Sequence, residues 1–155
     1  MRRSDRALQG PGQLLEVIQA CKVFRLAMLA EGRPYVVPLN FGYWYEDGQF
    51  EFYFHSALQG RKLDLLRQNP QVCFELDCGH ALVPADSPCS YSYRYASIIG
   101  EGVVELVEEP ARKALYLQRL LRHQTGQDLP LREEQTAAVA VGRISVQALT
   151  GKARR

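Results

Sequence analysis

The residues best suited to chemistry lie where a predicted strand gives way to a predicted helix near the middle of the chain. Residues 50–55 alternate apolar and polar side chains, which is typical of a strand, and the helix after them begins with Arg61 and Lys62. Ser56 and Gly60 lie in between. A helix N-terminus attracts anions through its free N–H groups, and these residues would add two charges and a hydroxyl. The sequence therefore predicts a phosphate-binding site, although the two cations can equally be ordinary surface charges.

A histidine, His55, ends the predicted strand just before this junction. An imidazole titrates close to neutral pH, so it could donate or relay a proton beside a bound ring. A histidine at a strand end can equally be a polar residue without a chemical role. Because the predicted phosphate site is adjacent, we take His55 as the candidate catalytic residue.

A second candidate segment consists of Val37, Pro38, Leu39 and Asn40. Proline has no N–H for a sheet ladder, so Pro38 predicts an edge strand, a bulge or a break. Such a disturbance frees backbone groups to face a ligand, and the Asn40 amide can both donate and accept hydrogen bonds. We predict that this segment lines the polar edge of a flat heteroaromatic ring, and a purely structural bulge is the alternative.

Tyrosines alternate along a third segment, between Ser90 and Gly100, where Tyr91, Tyr93 and Tyr95 fall on one face of a predicted strand. Aromatic rings with hydroxyl groups suit a dimer interface or a stacking surface. Nucleic acid is not the expected partner, because the segment carries little basic charge and the net charge of the chain is only +2.

Several other classes of protein are disfavoured by missing motifs. Cys78, His80 and Cys89 could ligate a metal, but their spacing matches no paired zinc pattern, so we predict no metal and free thiols. The chain has no dinucleotide-binding glycine fingerprint, no Walker loop and no nucleophile elbow. It also has no apolar run of membrane-spanning or signal-peptide length, so we expect a cytoplasmic protein that does not bind membranes.

The elements that must position these residues are mainly strands, and 155 residues suit a single domain. The patterns predict six strands, over residues 23–29, 35–45, 50–55, 72–76, 90–107 and 137–148, and helices over 14–21, 60–69 and 110–123. Residues 78–88 are predicted to form a loop. Short strands with hairpin signals favour an antiparallel barrel.

In their order and spacing, several segments resemble the Nim-type nitroimidazole-resistance proteins, which belong to the pyridoxamine 5′-phosphate oxidase-like FMN-binding split barrels. These segments are Pro34–Tyr43, Tyr53–Ala57, Gly60–Lys62, Arg67–Glu75, Tyr95–Gly100 with Gly102, and Thr150–Lys152. The resemblance covers nearly the whole chain. It implies a mainly β protein, a six-stranded antiparallel FMN-binding split β-barrel with Greek-key connections and flanking helices. The whole chain, residues 1–155, would be one such domain and would form a homodimer.

The resemblance also implies roles for individual residues. Arg61 and Lys62 would hold the FMN phosphate with help from Ser56, and the segment from Val37 to Asn40 would follow the edge of the ring. His55 would stand beside the flavin.

Two further residues would reach the same site from the partner subunit of the homodimer. They are Ser97 and Tyr95. In this arrangement the homodimer has two FMN sites at its interface, and the protein acts on a small-molecule substrate.

The function that follows is an FMN-dependent oxidoreductase, which takes electrons from a reduced nicotinamide or another donor and reduces a small, nitroimidazole-like aromatic acceptor. The alternatives are a flavin- or heme-binding carrier or sensor with little turnover, in which His55 could ligate heme, and a dimer whose ligand site has decayed. The segment Ile144–Lys152 lacks the Arg-Leu-His-Asp-Arg-like run of true pyridoxamine-phosphate oxidases. The resemblance therefore does not extend to oxidation of vitamin B6.

Overall fold

Seven antiparallel strands and three α-helices form residues 4–155, the part of the chain that the computed structural model describes. The strands are β1 (Val23–Ala30), β2 (Arg33–Asn40), β3 (Gly42–Glu46), β4 (Gln49–Ser56), β5 (Gln71–Val83), β6 (Ser92–Val107) and β7 (Ala140–Arg154). The helices are α1 (Gly10–Ala20), α2 (Arg61–Gln68) and α3 (Pro110–Thr125). No helix among these residues combines the length and the apolar character needed to cross a membrane.

The strands follow the order β2-β1-β5-β6-β7-β4-β3 in one continuous sheet. Hairpins β1–β2 and β3–β4 form its two edges, and the long strands β5, β6 and β7 form its centre. Residues of β2 also contact residues of β4, so the sheet curls towards a barrel. The mainly β, antiparallel, split-barrel-like architecture with flanking helices that the sequence predicted is confirmed, whereas self-association stays a prediction.

The prediction of six strands was wrong, because residues 35–45 form two strands rather than one. Phe41 separates them, and its ring is fully buried in the core. Before Phe41 the chain pairs with β1, and after it the chain pairs with β4. A Cβ on Gly42 would lie 2.4 Å from the Cα of Leu120, so the chain can cross under α3 here only with glycine.

The predicted loop over residues 78–88 was also wrong in its first half. β5 continues to Val83 and pairs with β6, with a shift of register between Cys78 and Ala81. β7 likewise continues past the predicted end of the last strand at residue 148. These extensions carry exposed or half-buried side chains, so they lack the apolar alternation from which strands are predicted.

Aromatic rings from three strands and one connection make up the centre of the core. These are Phe24, Phe41, Phe52, Phe54 and Phe74, all with no exposed surface. Their ring centroids lie between 4.8 and 6.5 Å apart, mostly tilted or edge to face. The predicted strand over residues 50–55 therefore supplies two core rings on its inner face and leaves its end free to meet α2.

Candidate functional site

The connection from β4 to α2 has the geometry of an anion site. Gly60 is the residue before the first turn of α2, and its φ of +139° belongs to backbone that favours glycine. No side chain forms a capping hydrogen bond at this helix start. A Cβ placed on Gly60 would have no atom within 4 Å, apart from those of its chain neighbours. No capping side chain therefore occupies the start of α2, where the first N–H groups of a helix lack intrahelical partners.

Two cations without a carboxylate partner stand at this helix start. The guanidinium of Arg61 lies 4.6 Å from the centre of the Tyr35 ring, and the ammonium of Lys62 lies 5.5 Å from that of Phe54. Neither forms an ion pair within residues 4–155, since the acidic residue of the first turn, Asp64, pairs with Arg67 at 3.0 Å instead. Burial lowers the pKa of Lys62. A bound anion would relieve the cost of desolvating this charge.

The segment predicted to line a ring lies on an exposed edge. β2 is an edge strand of the sheet and pairs with β1, so of the edge, bulge or break that Pro38 predicted, the structure has the edge. An open recess of about 260 Å³ is lined by Val23, Pro38, Leu39, Asn40 and His55. The structure thus brings His55 beside Pro38–Asn40, while the half-buried Val37 lies outside this recess.

Asn40 has part of its hydrogen-bonding capacity occupied. Its Nδ2 donates to the carbonyl of Lys22 at 3.2 Å and to Oε1 of Gln124 at 3.3 Å. The amide nitrogen is therefore engaged with α3 and with Lys22, the residue before β1, and Oδ1 remains as an acceptor for a ligand. The exposed imidazole of His55 makes no hydrogen bond to another residue of the described chain.

Tyr95 and Ser97 do not join this site within one chain. On β6, Tyr95 pairs with Arg154 and Ser97 pairs with Lys152, near the end of β7. Ser56 pairs with Ala140, at the start of β7. Both β6 residues are half-buried and lie at the far end of the sheet from the β4–α2 connection, so any contribution from them requires a second copy.

A network of ion pairs that sequence reasoning missed joins β4, β6, β7 and α3. Glu51 accepts hydrogen bonds from Arg143, Glu105 accepts two from Arg112 at 2.6 and 2.8 Å, and Arg143 bridges the two carboxylates. Burial acts to raise the pKa of Glu51, but hydrogen bonds from Arg143 and Tyr53 outweigh it and lower that pKa. Arg143 lies 92 positions from Glu51 and 38 positions from Glu105 in the sequence, and no local pattern predicts pairs so far apart.

The candidate metal ligands do not assemble a site. His80 pairs with Asp77 at 2.7 Å, and all four cysteines are free thiols. Within residues 4–155 no three histidine, cysteine or acidic side chains are arranged to hold a metal ion. A cleft of about 980 Å³ between α1, β3 and α3 was also not predicted from the sequence.

Comparison with known proteins gives consistent results for family and fold. The family model for pyridoxamine 5′-phosphate oxidase matches residues 11–153. A solved structure from Bacteroides thetaiotaomicron, named for a proposed role in 5-nitroimidazole antibiotic resistance, is 31% identical, with a TM-score of 0.81 over 95% of this chain and 86% of that chain. No curated protein sequence matches significantly.

Two more distant structures share the fold. The flavocytochrome Anf3 from Azotobacter vinelandii is 21% identical, with a TM-score of 0.80 over 100% of this chain and 72% of that chain. The FAD and heme binding protein from Mycobacterium smegmatis is 18% identical, with a TM-score of 0.81 over 97% and 74%.

Proposed function

The chain belongs to the pyridoxamine 5′-phosphate oxidase family, and from this premise we propose that it is an FMN-dependent oxidoreductase. FMN is consistent with the family. When bound, FMN would supply the electron-transfer chemistry, which protein side chains do not provide. The chain would supply binding, orientation and proton transfer.

The observation that carries this proposal is the unpaired pair of cations at the start of α2. Arg61 and Lys62 are adjacent, have no carboxylate partner in residues 4–155, and flank a helix end that no side chain caps. The two positive charges repel each other and oppose the dipole of α2. A phosphate between them would be stabilised by Arg61, by Lys62 and by the positive end of the helix dipole. The half-buried hydroxyl of Ser56 would add a hydrogen bond.

The recess on the edge of β2 would hold one side of the flavin ring. Pro38, Leu39 and Asn40 would follow the ring edge, with the free Oδ1 of Asn40 as an acceptor, and Val37 would adjoin them just outside the recess. His55 stands in the wall of the same recess, exposed and without a hydrogen-bond partner in the described chain. It would donate a proton to the acceptor as that molecule is reduced.

A homodimer of single-domain subunits, residues 1–155, would complete the site with Tyr95 and Ser97 of the second copy. Large apolar side chains on the outer face support self-association: Leu29, Val36 and Ile99 are 53%, 53% and 52% exposed. They belong to β1, β2 and β6, which lie within four consecutive strands of the sheet.

Small nitroaromatic compounds are the proposed acceptors, with a reduced nicotinamide as the donor. The support is the name of the structure from Bacteroides thetaiotaomicron, which is 31% identical to this chain. In a reductase assay, His55→Ala should lower kcat about 100-fold while FMN affinity changes little, because a positioned general acid contributes about 10²–10⁴-fold. A variant with unchanged kcat would remove His55 from the mechanism.

The central test replaces both cations at the start of α2. In an FMN titration followed by flavin fluorescence, Arg61→Ala with Lys62→Ala should weaken binding about 100-fold or more, because two charge-assisted contacts are lost. Arg67→Ala is the matched control, since it removes an exposed arginine of the same helix that already has a partner. Equal affinities in all three proteins would contradict the proposed phosphate site.

A flavin- or heme-binding carrier or sensor is the second candidate. It is favoured by the imidazole of His55, which is exposed and has no hydrogen-bond partner in residues 4–155, as a heme ligand would need. Reconstitution with hemin should then give a Soret band that His55→Ala abolishes, together with little turnover of nitroaromatic compounds.

A further inference from the structure

We propose that the cleft between α1, β3 and α3 is a second binding site, which takes small planar aromatic anions. This proposal does not depend on FMN binding. The cleft and the edge recess have no lining residue in common. Its volume, about 980 Å³, lies at the upper end of the range of small-molecule sites.

Apolar surface in this cleft is left uncovered. Leu115 on α3 and Leu129 in the segment after it are 43% and 39% exposed, and both line the cleft. Leu115, Arg119 and Arg122 are spaced by four and three residues, so they share one face of α3 and turn it towards the cleft. A ligand with an apolar body would remove this surface from water.

A rigid flat surface forms one wall. The guanidinium of Arg119 stacks over the Trp44 ring with 4.0 Å to its centroid, and its Nη1 donates to the hydroxyl of Tyr53 at 2.5 Å. Glu51 lies 3.8 Å behind it and is shared with Arg143. Because these contacts fix the side chain, a planar ring can stack there without ordering Arg119 first.

The charge of the lining residues is positive. Lys22, Arg119 and Arg122 line the cleft, and Asp128 is the one acidic residue among the lining residues; it approaches Arg122 at 3.4 Å. Glu51, which does not line the cleft, lies 3.8 Å from Arg119, and the Lys22 ammonium donates to the carbonyl of His123 but has no carboxylate partner among the described residues. His123 lies in the floor and adds no charge at neutral pH, because burial lowers its pKa to about 4. The cleft therefore combines an aromatic surface with an excess of cations, which favours an aromatic carboxylate over a neutral or cationic ring.

Trp44 is the single tryptophan of the chain, so its fluorescence reports on this cleft alone. The probe is benzoate, with benzamide as a neutral control of the same shape, titrated by calorimetry and by Trp44 emission into the FMN-loaded protein. Benzoate should bind with a dissociation constant below about 1 mM and change the emission, and benzamide should bind at least about 10-fold more weakly.

The flavin-deficient Arg61→Ala, Lys62→Ala protein is titrated in parallel. Unchanged benzoate binding there would show that the cleft works independently of the phosphate site. If the wild-type protein did not bind FMN but still bound benzoate, the proposed function would be contradicted and the cleft proposal would remain supported.

Variants of exposed residues locate the charge that binds the probe. Lys22→Met with Arg122→Gln should weaken benzoate at least 10-fold and leave benzamide unchanged, because both charges are lost while the aromatic wall stays. Arg67→Gln is the matched control, since Arg67 and Arg122 are both exposed arginines of a helix with one carboxylate partner. Thermal melts of all three proteins establish that they fold alike.

Three results would overturn the proposal. One is no change in Trp44 emission with benzoate up to about 5 mM, a concentration that would reveal even weak binding. The second is equal affinity for benzoate and benzamide, or equal loss in the Arg67→Gln control. The third is a shift of Trp44 emission with protein concentration alone, which would show that a second copy covers the cleft.

Discussion

Two groups of cations in this protein have opposite surroundings. Arg112 and Arg143 at the α3–β7 side are bound to Glu105 and Glu51, in a network that the protein completes by itself. Arg61 and Lys62 at the start of α2 form no ion pair among the described residues, and each lies over an aromatic ring. Basic side chains therefore stabilise the fold in one region and could bind an external anion in the other. The difference is that carboxylates of the protein neutralise the first group.

The largest expected effect on stability comes from breaking the self-contained network. Arg143→Met should lower the free energy of unfolding by about 2–3 kcal/mol, because half-buried Glu51 loses its main partner. FMN affinity should stay the same. Urea unfolding and an FMN titration on the same samples check both expectations. A loss of FMN affinity without a loss of stability would show that Arg143 serves ligand binding rather than the fold.

His123 provides a titratable group in a third situation, buried and neutral. Its ring packs against Phe41 and Tyr43, its Nε2 meets the carbonyl of Cys21 at 2.8 Å, and burial lowers its pKa from 6.5 to about 4. Between pH 6.5 and about 4, His123 is protonated in the unfolded chain but stays neutral in the folded chain. Stability should therefore fall between pH 6.5 and about 4, by about 3 kcal/mol in total, and level off below.

The control for this pH dependence is His123→Gln, which has no titratable group. Urea midpoints measured in steps from pH 7.5 to 4.5 should fall less steeply in the variant than in the wild type. Parallel pH curves for the two proteins would show that His123 is not buried in the neutral form.

A smaller effect should follow from offering an anion to the unpaired cations. Inorganic phosphate at about five times its dissociation constant should stabilise the flavin-free protein by about 1 kcal/mol, which raises Tm by a few degrees. The Arg61→Ala, Lys62→Ala protein should respond no more than it does to an equal ionic strength of chloride. A similar rise in both proteins would mean a general salt effect.

The smallest effect is expected where a cation and its partner are both exposed. Arg67→Ala removes the ion pair with Asp64, whose two side chains are 55% and 63% exposed, and should change stability by less than about 0.5 kcal/mol. If Arg67→Ala lowered the free energy of unfolding as much as Arg143→Met, exposure would not explain the difference between the Arg67–Asp64 and Arg143–Glu51 ion pairs.

Much of the fold could be predicted because its signals are local. The alternation over residues 50–55 and the helix after Gly60 were visible in the sequence, and Pro38 limited its strand to an edge, a bulge or a break. The division of residues 35–45 into β2 and β3 was not, because Phe41 continues the apolar pattern and only its burial under α3 interrupts the sheet. The extension of β5 was missed because its exposed end has no periodicity.

The candidate site was predictable in part for a similar reason. The sequence places Ser56, Gly60, Arg61 and Lys62 within seven positions, so one strand-to-helix connection had to bring them together. It could not predict the cleft, whose Trp44 and Arg119 are brought face to face by the packing of α3 on β3.

By itself, then, the sequence determined the β-rich antiparallel character of the protein, the glycine before α2 and the two adjacent cations, since these depend on neighbours along the chain. Only the tertiary structure decided that His55 faces Pro38–Asn40 and that Arg61 and Lys62 lack the carboxylates that Arg112 and Arg143 possess. Pairing of charges depends on the register of strands and helices distant in sequence, and that register is set by how the whole core packs.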